Sequence, residues 1–188
     1  MMATKMYKVQ KPYKRKENLY HFIRKGVSNY YKSLDKRKIA SIKRYKTNMK
    51  DIANSSVVQQ MKQFNHHSHT SCFTHSVHVS YMNYLVCNKL NLDSYAAAKA
   101  GLLHDLFLYD WHKYKTKQDE RLHGFEHPNK ALKNAHKYFD LTKKEGDIIV
   151  KHMFPLTLTL PSYKETFVIV MTDKICSVGE VLDRYLRK

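Results

Sequence analysis

The sequence predicts an all-α protein, and three observations carry that expectation. The chain of 188 residues has only 5 Gly and 4 Pro, so the breakers that a turn-rich sheet protein needs are scarce. Beyond Val57, apolar residues recur at the three- and four-residue spacing of helix faces. No segment offers a convincing strand.

Taken in order, residues 1–16 read as loosely ordered. Leu19 to Val27 and Ile39 to Ile52 carry sparse apolar residues, so helices there are polar on most faces. Val77, Tyr81, Tyr84 and Leu85 fall on one face of a helix running from about Thr74 to Leu90. Asp93 or Ser94 offers an N-cap for the segment SYAAAKAGLLHDLF, apolar nearly all round and expected to form the central, buried helix. Its small residues, Ala96 to Ala98, Ala100 and Gly101, let neighbouring helices approach closely. Pro128 fits the first turn of a further helix, with Ala131, Leu132, Ala135, Tyr138 and Phe139 turned inward. Thr142 and Glu145 form a T-x-x-E capping box that opens a helix carrying Ile148, Ile149 and His152. Phe167, Met171, Ile175, Val178, Leu182 and Leu186 make the stripe of a long C-terminal helix. The expected organisation is a basic, partly helical segment over residues 1–56 and a helical domain over 57–188.

Hydrophobic content of 43% suits one globular domain. No run approaches the ~18 consecutive apolar residues of a membrane span, and the N-terminus lacks the apolar core of a secretory signal. Cys72, Cys87 and Cys176 are odd in number and have no C-x-x-C spacing, as in a reducing compartment. A cytoplasmic protein is expected. The net charge of +18 is concentrated at one end: residues 1–50 hold 16 Lys or Arg against Glu17 and Asp35 alone. Such a segment attracts polyanions, whether nucleic acid, nucleotide or anionic lipid, or serves as a solvated face.

The residues richest in chemistry are His104 and Asp105, placed in the most apolar segment. A lone carboxylate buried there is costly without a compensating charge. A divalent cation beside the helix supplies that charge; separate pairing of His and Asp with helix ends or Arg is the plainer alternative. His75 lies in TSCFTHSVHVS and Asp173 in VIVMTDKICS, so the chain presents His, then His-Asp, then a distant Asp. This order, with HSVHVS, AGLLHDLF, HPNKALKNA, DIIVKHM and MTDKI, resembles the HD-domain superfamily of metal-dependent phosphohydrolases over about residues 65 to 180. The stretch Phe107 to His112 is similar to small bacterial members whose substrates are unassigned.

The resemblance implies an HD-type helical bundle around a buried metal site. His75, His104, Asp105 and Asp173 would hold one ion, and His127 and His152 would add a second, with Asp105 as bridge. Asp105 and His104 would carry the catalytic chemistry. One or two divalent transition-metal ions are implied; His and Asp ligands suit Fe, Mn, Zn or Ni without choosing among them. His67, His123, Lys151 and Lys174 are candidates for substrate contact, and His123 is also a substitute for His127 as ligand. Leu106 to Tyr109 lack the lysine that family members often carry after His-Asp. His123 to His127 also spells H-x-x-E-H, the inverted zinc-protease pattern, but Gly124 weakens a helix and Pro128 makes His127 a helix entrance. The implied reaction is hydrolysis of a phosphate ester or anhydride, with an anionic small molecule, in particular a nucleotide, as substrate. Two other classes share these features: a two-iron oxygenase with the same ligand order, and a nucleic-acid-binding module acting through residues 1–50.

Overall fold

The computed structural model describes residues 36–66, 70–111 and 123–186; residues 1–35, His67 and His112 lie outside them. The described part is mostly helical and contains no strand, so it is all-α as expected. Its α-helices are α1 (Lys36–Asn54), α2 (Ser56–Gln60), α3 (Cys72–Lys89), α4 (Ser94–Leu103), α5 (His123–Tyr138), α6 (Lys143–Lys151) and α7 (Lys164–Leu186). No described helix is long and apolar enough to cross a membrane. The chain divides into two compact units, Met1–Ile39 and Ala40–Lys188. Of the first, only the opening turn of α1 is described.

The second unit begins at Ala40, well before the position 57 expected from apolar density. Four well-spaced residues explain the difference. Ile42, Tyr45, Met49 and Ala53 of α1 are all buried, and they share a face at i, i+3, i+7 and i+11. Tyr45 packs its ring against Tyr81 and Tyr84, and its hydroxyl donates to Ser80 Oγ at 3.0 Å. A lysine-rich helix with one narrow apolar face is enough to close that side of the core.

Helix α3 starts at Cys72, two residues before the expected Thr74, because Ser71 is its N-cap and accepts from the Thr74 N–H at 3.2 Å. The expected stripe is only partly buried: Val77 and Tyr84 are inside, whereas Leu85 is exposed. Several of the other buried positions are small and polar, Ser76, Ser80 and Asn83 among them. Ser80 Oγ donates to the Ala98 carbonyl at 2.7 Å and Asn83 Nδ2 donates to the Ala97 carbonyl at 3.1 Å. Those bonds seat α3 directly on the backbone of α4. Asp93 caps α4 by accepting from the Ala96 N–H at 3.0 Å, and Ala96 to Ala98 and Ala100 to Leu103 are buried as expected.

α4 does not continue through SYAAAKAGLLHDLF. Regular helix stops at Leu103, and residues 104–107 form turns that lead to Leu108 at φ 57°. His104 and Asp105 therefore stand at a helix end. The turn is held by the Leu106 N–H on the Leu103 carbonyl, the Phe107 N–H on the Asp105 carbonyl and Asn134 of α5 on the Leu106 carbonyl.

In α5, Ala131 and Ala135 face the core as expected, but Tyr138 is exposed and Phe139 only half-buried. The helix also begins at His123, so Pro128 and His127 lie in its second turn and not at its entrance. Helix α6 has the expected capping box: the Glu145 N–H donates to Thr142 Oγ1 at 3.2 Å and the Thr142 N–H to Glu145 Oε2 at 2.8 Å. α7 buries Thr166, Val168, Ile169, Val170, Thr172 and Asp173, while Phe167, Met171, Ile175, Val178 and Leu182 face outward. The recognisable stripe of this helix is thus its exposed side.

Candidate metal centre

Five helices or helix ends bring the site together. α3 carries His75 in its first turn, the end of α4 carries His104 and Asp105, and α7 carries Asp173. His127 comes from α5 and His152 caps the C-terminal end of α6. A further contribution is His66, in a loop closed by the His66 N–H on the Thr70 carbonyl and the Cys72 N–H on the Phe64 carbonyl, both at 2.8 Å. The six residues singled out as ligands are buried, none more than 8% exposed.

Asp105 is the centre of the cluster, and its two oxygens face different groups. Oδ2 lies 3.1 Å from His66 Nε2 and 3.5 Å from His104 Nε2. Oδ1 lies 3.4 Å from His127 Nε2 and 3.9 Å from His152 Nε2. On the far side, Asp173 Oδ1 is 3.0 Å from His75 Nε2 and 3.7 Å from His104 Nε2. The trios His75, His104, Asp173 and His104, Asp105, His152 each have donor atoms within 4.8 Å of one another; so have His66, His75 and Asp105.

Three histidines share one orientation. The Nδ1–H of His104 donates to the Gly101 carbonyl at 2.8 Å, that of His127 to the His123 carbonyl at 2.9 Å, and that of His152 to the Ile149 carbonyl at 2.7 Å. A carbonyl only accepts, so each Nδ1 carries the hydrogen and each ring, in its neutral form, directs an Nε2 lone pair inward. His104 Nε2 is fully enclosed and has no hydrogen-bond partner among the described residues. The Nε2 atoms of His127 and His152 face each other at 2.8 Å, which requires a proton or a cation between them. Burial, reinforced by His104 and His127, pushes His152 down to about 3, and burial also pushes His127 down. Neither ring therefore holds that proton near neutrality. Buried lone pairs beside two carboxylates are the chemistry of a cation site, and these His and Asp groups could hold a metal ion.

Electrostatics on the other side are complementary. Burial alone would raise Asp105 and Asp173, but His104 and His66 hold the first well below the carboxylate range, and His104 and His75 the second. Burial disfavours charge on His75, yet hydrogen bonds with Asp173 and Glu180 push it up to about 10. His104 is raised as well, with Asp105 and Asp173 outweighing burial.

A cavity of about 940 Å³ opens from the cluster. His123 lines it, stacked between Trp111 at 5.0 Å and His127 at 4.7 Å and hydrogen-bonded through Nδ1 to the Tyr109 hydroxyl at 2.8 Å. Burial pushes His123 down to about 4. Lys174 lines it too, its ammonium donating to the carbonyls of Val170 and Phe154 at 3.1 and 3.2 Å. Met153, Pro155, Leu156 and Val178 make an apolar wall. Lys151 stands elsewhere: it pairs with Asp147 one turn earlier and donates to Ser162 Oγ at 2.7 Å, so it does not line this cavity. His67 lies outside the described residues, and its neighbour His66 takes the place beside Asp105.

Sequence reasoning passed over one participant, Glu180, and did not single out another, His66, from its neighbours His67 and His69. Glu180 accepts from His75 Nδ1 at 3.2 Å and meets His78 Nδ1 at 2.9 Å. It follows Asp173 by seven residues, two turns along the same helix face, which is the signal that could have found it. His66 stood inside the run HHSHTSCFTH, where spacing alone does not choose among neighbouring histidines. The chain matches no family model, no curated protein and no solved structure.

Proposed function

We propose that this cluster is a two-metal centre that hydrolyses a phosphate ester or anhydride, with a nucleotide as the favoured substrate class. The observation that carries the reading is the division of labour at Asp105, whose two oxygens face separate sets of inward Nε2 atoms. One ion would be held by His75, His104, Asp105 and Asp173, and the other by His127, His152 and Asp105. Divalent ions bound there lower the pKa of water toward neutrality and neutralise charge on a phosphoryl group. The donor set of imidazoles and carboxylates suits Fe, Mn, Zn or Ni.

The chain's own residues then have distinct tasks. Asp105 and Asp173, kept ionised by their histidines, supply the negative charge that a divalent pair demands. Carbonyl bonds at Nδ1 fix the rings of His104, His127 and His152 so that no reorganisation is needed. Lys174 and His123 line the approach; in this reading they would meet phosphate oxygens, while the wall of Met153, Pro155, Leu156 and Val178 would receive the organic part. The basic segment over residues 1–50 raises the local concentration of an anionic substrate.

The test is a hydrolysis screen. Chain stripped of metal and reloaded singly with Mn, Fe, Zn or Ni is offered nucleoside mono-, di- and triphosphates and a simple aryl phosphate. Release of phosphate or pyrophosphate with at least one metal, lost in Asp105→Ala, is expected. Fully loaded protein that turns over none of them would overturn the reading.

A further inference from the structure

Apart from Val178, the outward face of α7 takes no part in the site. Phe167, Met171, Ile175, Val178 and Leu182 follow one another at spacings of 4, 4, 3 and 4 residues, one continuous helix face, and each is 46 to 60% exposed. Val181 adds to the same strip, and a groove formed with Met82, Val86 and Leu90 at the end of α3 widens it beside Phe167 and Met171. Together these side chains expose on the order of 500 Å² of apolar surface, at the upper end of what a monomer leaves in one patch. A stable protein interface covers ~800 Å² per partner, so the strip would form its apolar centre, with the groove beside α3 and polar margins supplying the rest.

We propose that this face is a self-association surface, through which two copies of the chain pair by antiparallel α7 helices. The spacing is what selects a second copy as the occupant, because the strip reads nearly the same in both directions. A twofold axis beside Ile175 sets Phe167 of one copy against Leu182 of the other, Met171 against Val178, and Ile175 against itself. Such self-complementarity is what an isologous contact requires, and an antiparallel pair at a shallow crossing angle is an ordinary helix packing. The net charge of +18 opposes association, but most of it lies in residues 1–50 and not on α7. Added salt therefore strengthens the pair, the reverse of a contact driven by charge. Val178 belongs both to the strip and to the wall of the cavity, so pairing places the second copy at the cavity rim.

Sedimentation velocity of the full chain over a hundredfold range of concentration tests this. The expected species has twice the 22.3 kDa of the chain and persists at high salt. Met171→Glu with Ile175→Glu should weaken the pair by roughly tenfold or more, leaving helical content and metal content unchanged. Ile175→Cys under a mild oxidant should give a covalent dimer well above the background of the unsubstituted chain. A monomer at every concentration overturns the proposal, as does a dimer that the glutamates leave intact. Should the glutamate variant lose its fold, the Ile175→Cys cross-link decides instead, and its absence overturns the proposal equally.

Discussion

Glu180 shows how a single side chain sets the site from outside it. Its Oε2 takes the Nδ1–H of His75 at 3.2 Å and so fixes which nitrogen His75 turns toward Asp173. Burial would raise this carboxyl, but its bonds with His75 and His78 push it down to about 2. Replacing it by Gln keeps the size and removes the charge that supports His75 as a donor. Glu180→Gln should weaken metal affinity by roughly 10- to 100-fold, read by competition with a chelator, and should also lower the unfolding midpoint of metal-free protein at neutral pH, because His75 loses a charge that holds it protonated. A lower midpoint with unaltered metal affinity would reduce Glu180 to a packing role. At this scale the six clustered residues were legible as an ordered set of motifs, whereas His66 was hidden in a run of histidines and Glu180 showed only as a carboxylate two turns beyond Asp173; their contacts with Asp105 and His75 span 39 and 105 positions.

Helices were legible where their ends carry their own chemistry. The Thr142–Glu145 capping box and the Asp93 cap read directly, because a cap is a local contract between side chain and backbone. The end of α4 did not, since residues 104–107 leave the helix under tertiary ties such as Asn134 to the Leu106 carbonyl. The α7 stripe marks the helix correctly yet lies on its exposed side, since periodicity reports that a face is apolar, not what covers it. The α3–α4 crossing gives a sharp test of packing. A Cβ on Gly101 would lie 2.6 Å from Asn83 Nδ2 and 3.0 Å from Ser80 Cα. Ala is otherwise preferred to Gly in a helix by about 1 kcal/mol, but overpacking costs about 1–3 kcal/mol and Ser80 Cα is backbone that cannot step aside. Gly101→Ala should therefore destabilise the protein in denaturant unfolding; a neutral or stabilised variant would show that the helices are free to separate.

The whole molecule should carry the electrostatics of the cluster into its stability. In the metal-free chain, His152 at about 3, His123 at about 4 and His127, also lowered, sit below the ordinary 6.5. Each stabilises above 6.5 and loses that contribution as pH falls below it. His75 at about 10, and His104, raised in the same sense, stabilise fully below 6.5 and lose their contribution as pH climbs toward 10. Thermal unfolding in chelator should thus be highest near pH 6.5 and decline on both sides. The alkaline limb is diagnostic, because relief of the +18 charge would by itself raise stability there; a midpoint climbing steadily to alkaline pH would contradict these assignments. The claim beneath all of this is that the inward lone pairs exist to hold metal. Elemental analysis of full-length chain purified without chelator addresses it most directly, with Asp105→Ala beside it. The account predicts one to two divalent transition-metal ions per unsubstituted chain and their loss in the variant. A folded, unsubstituted chain that takes up no Mn, Fe, Zn or Ni would contradict it.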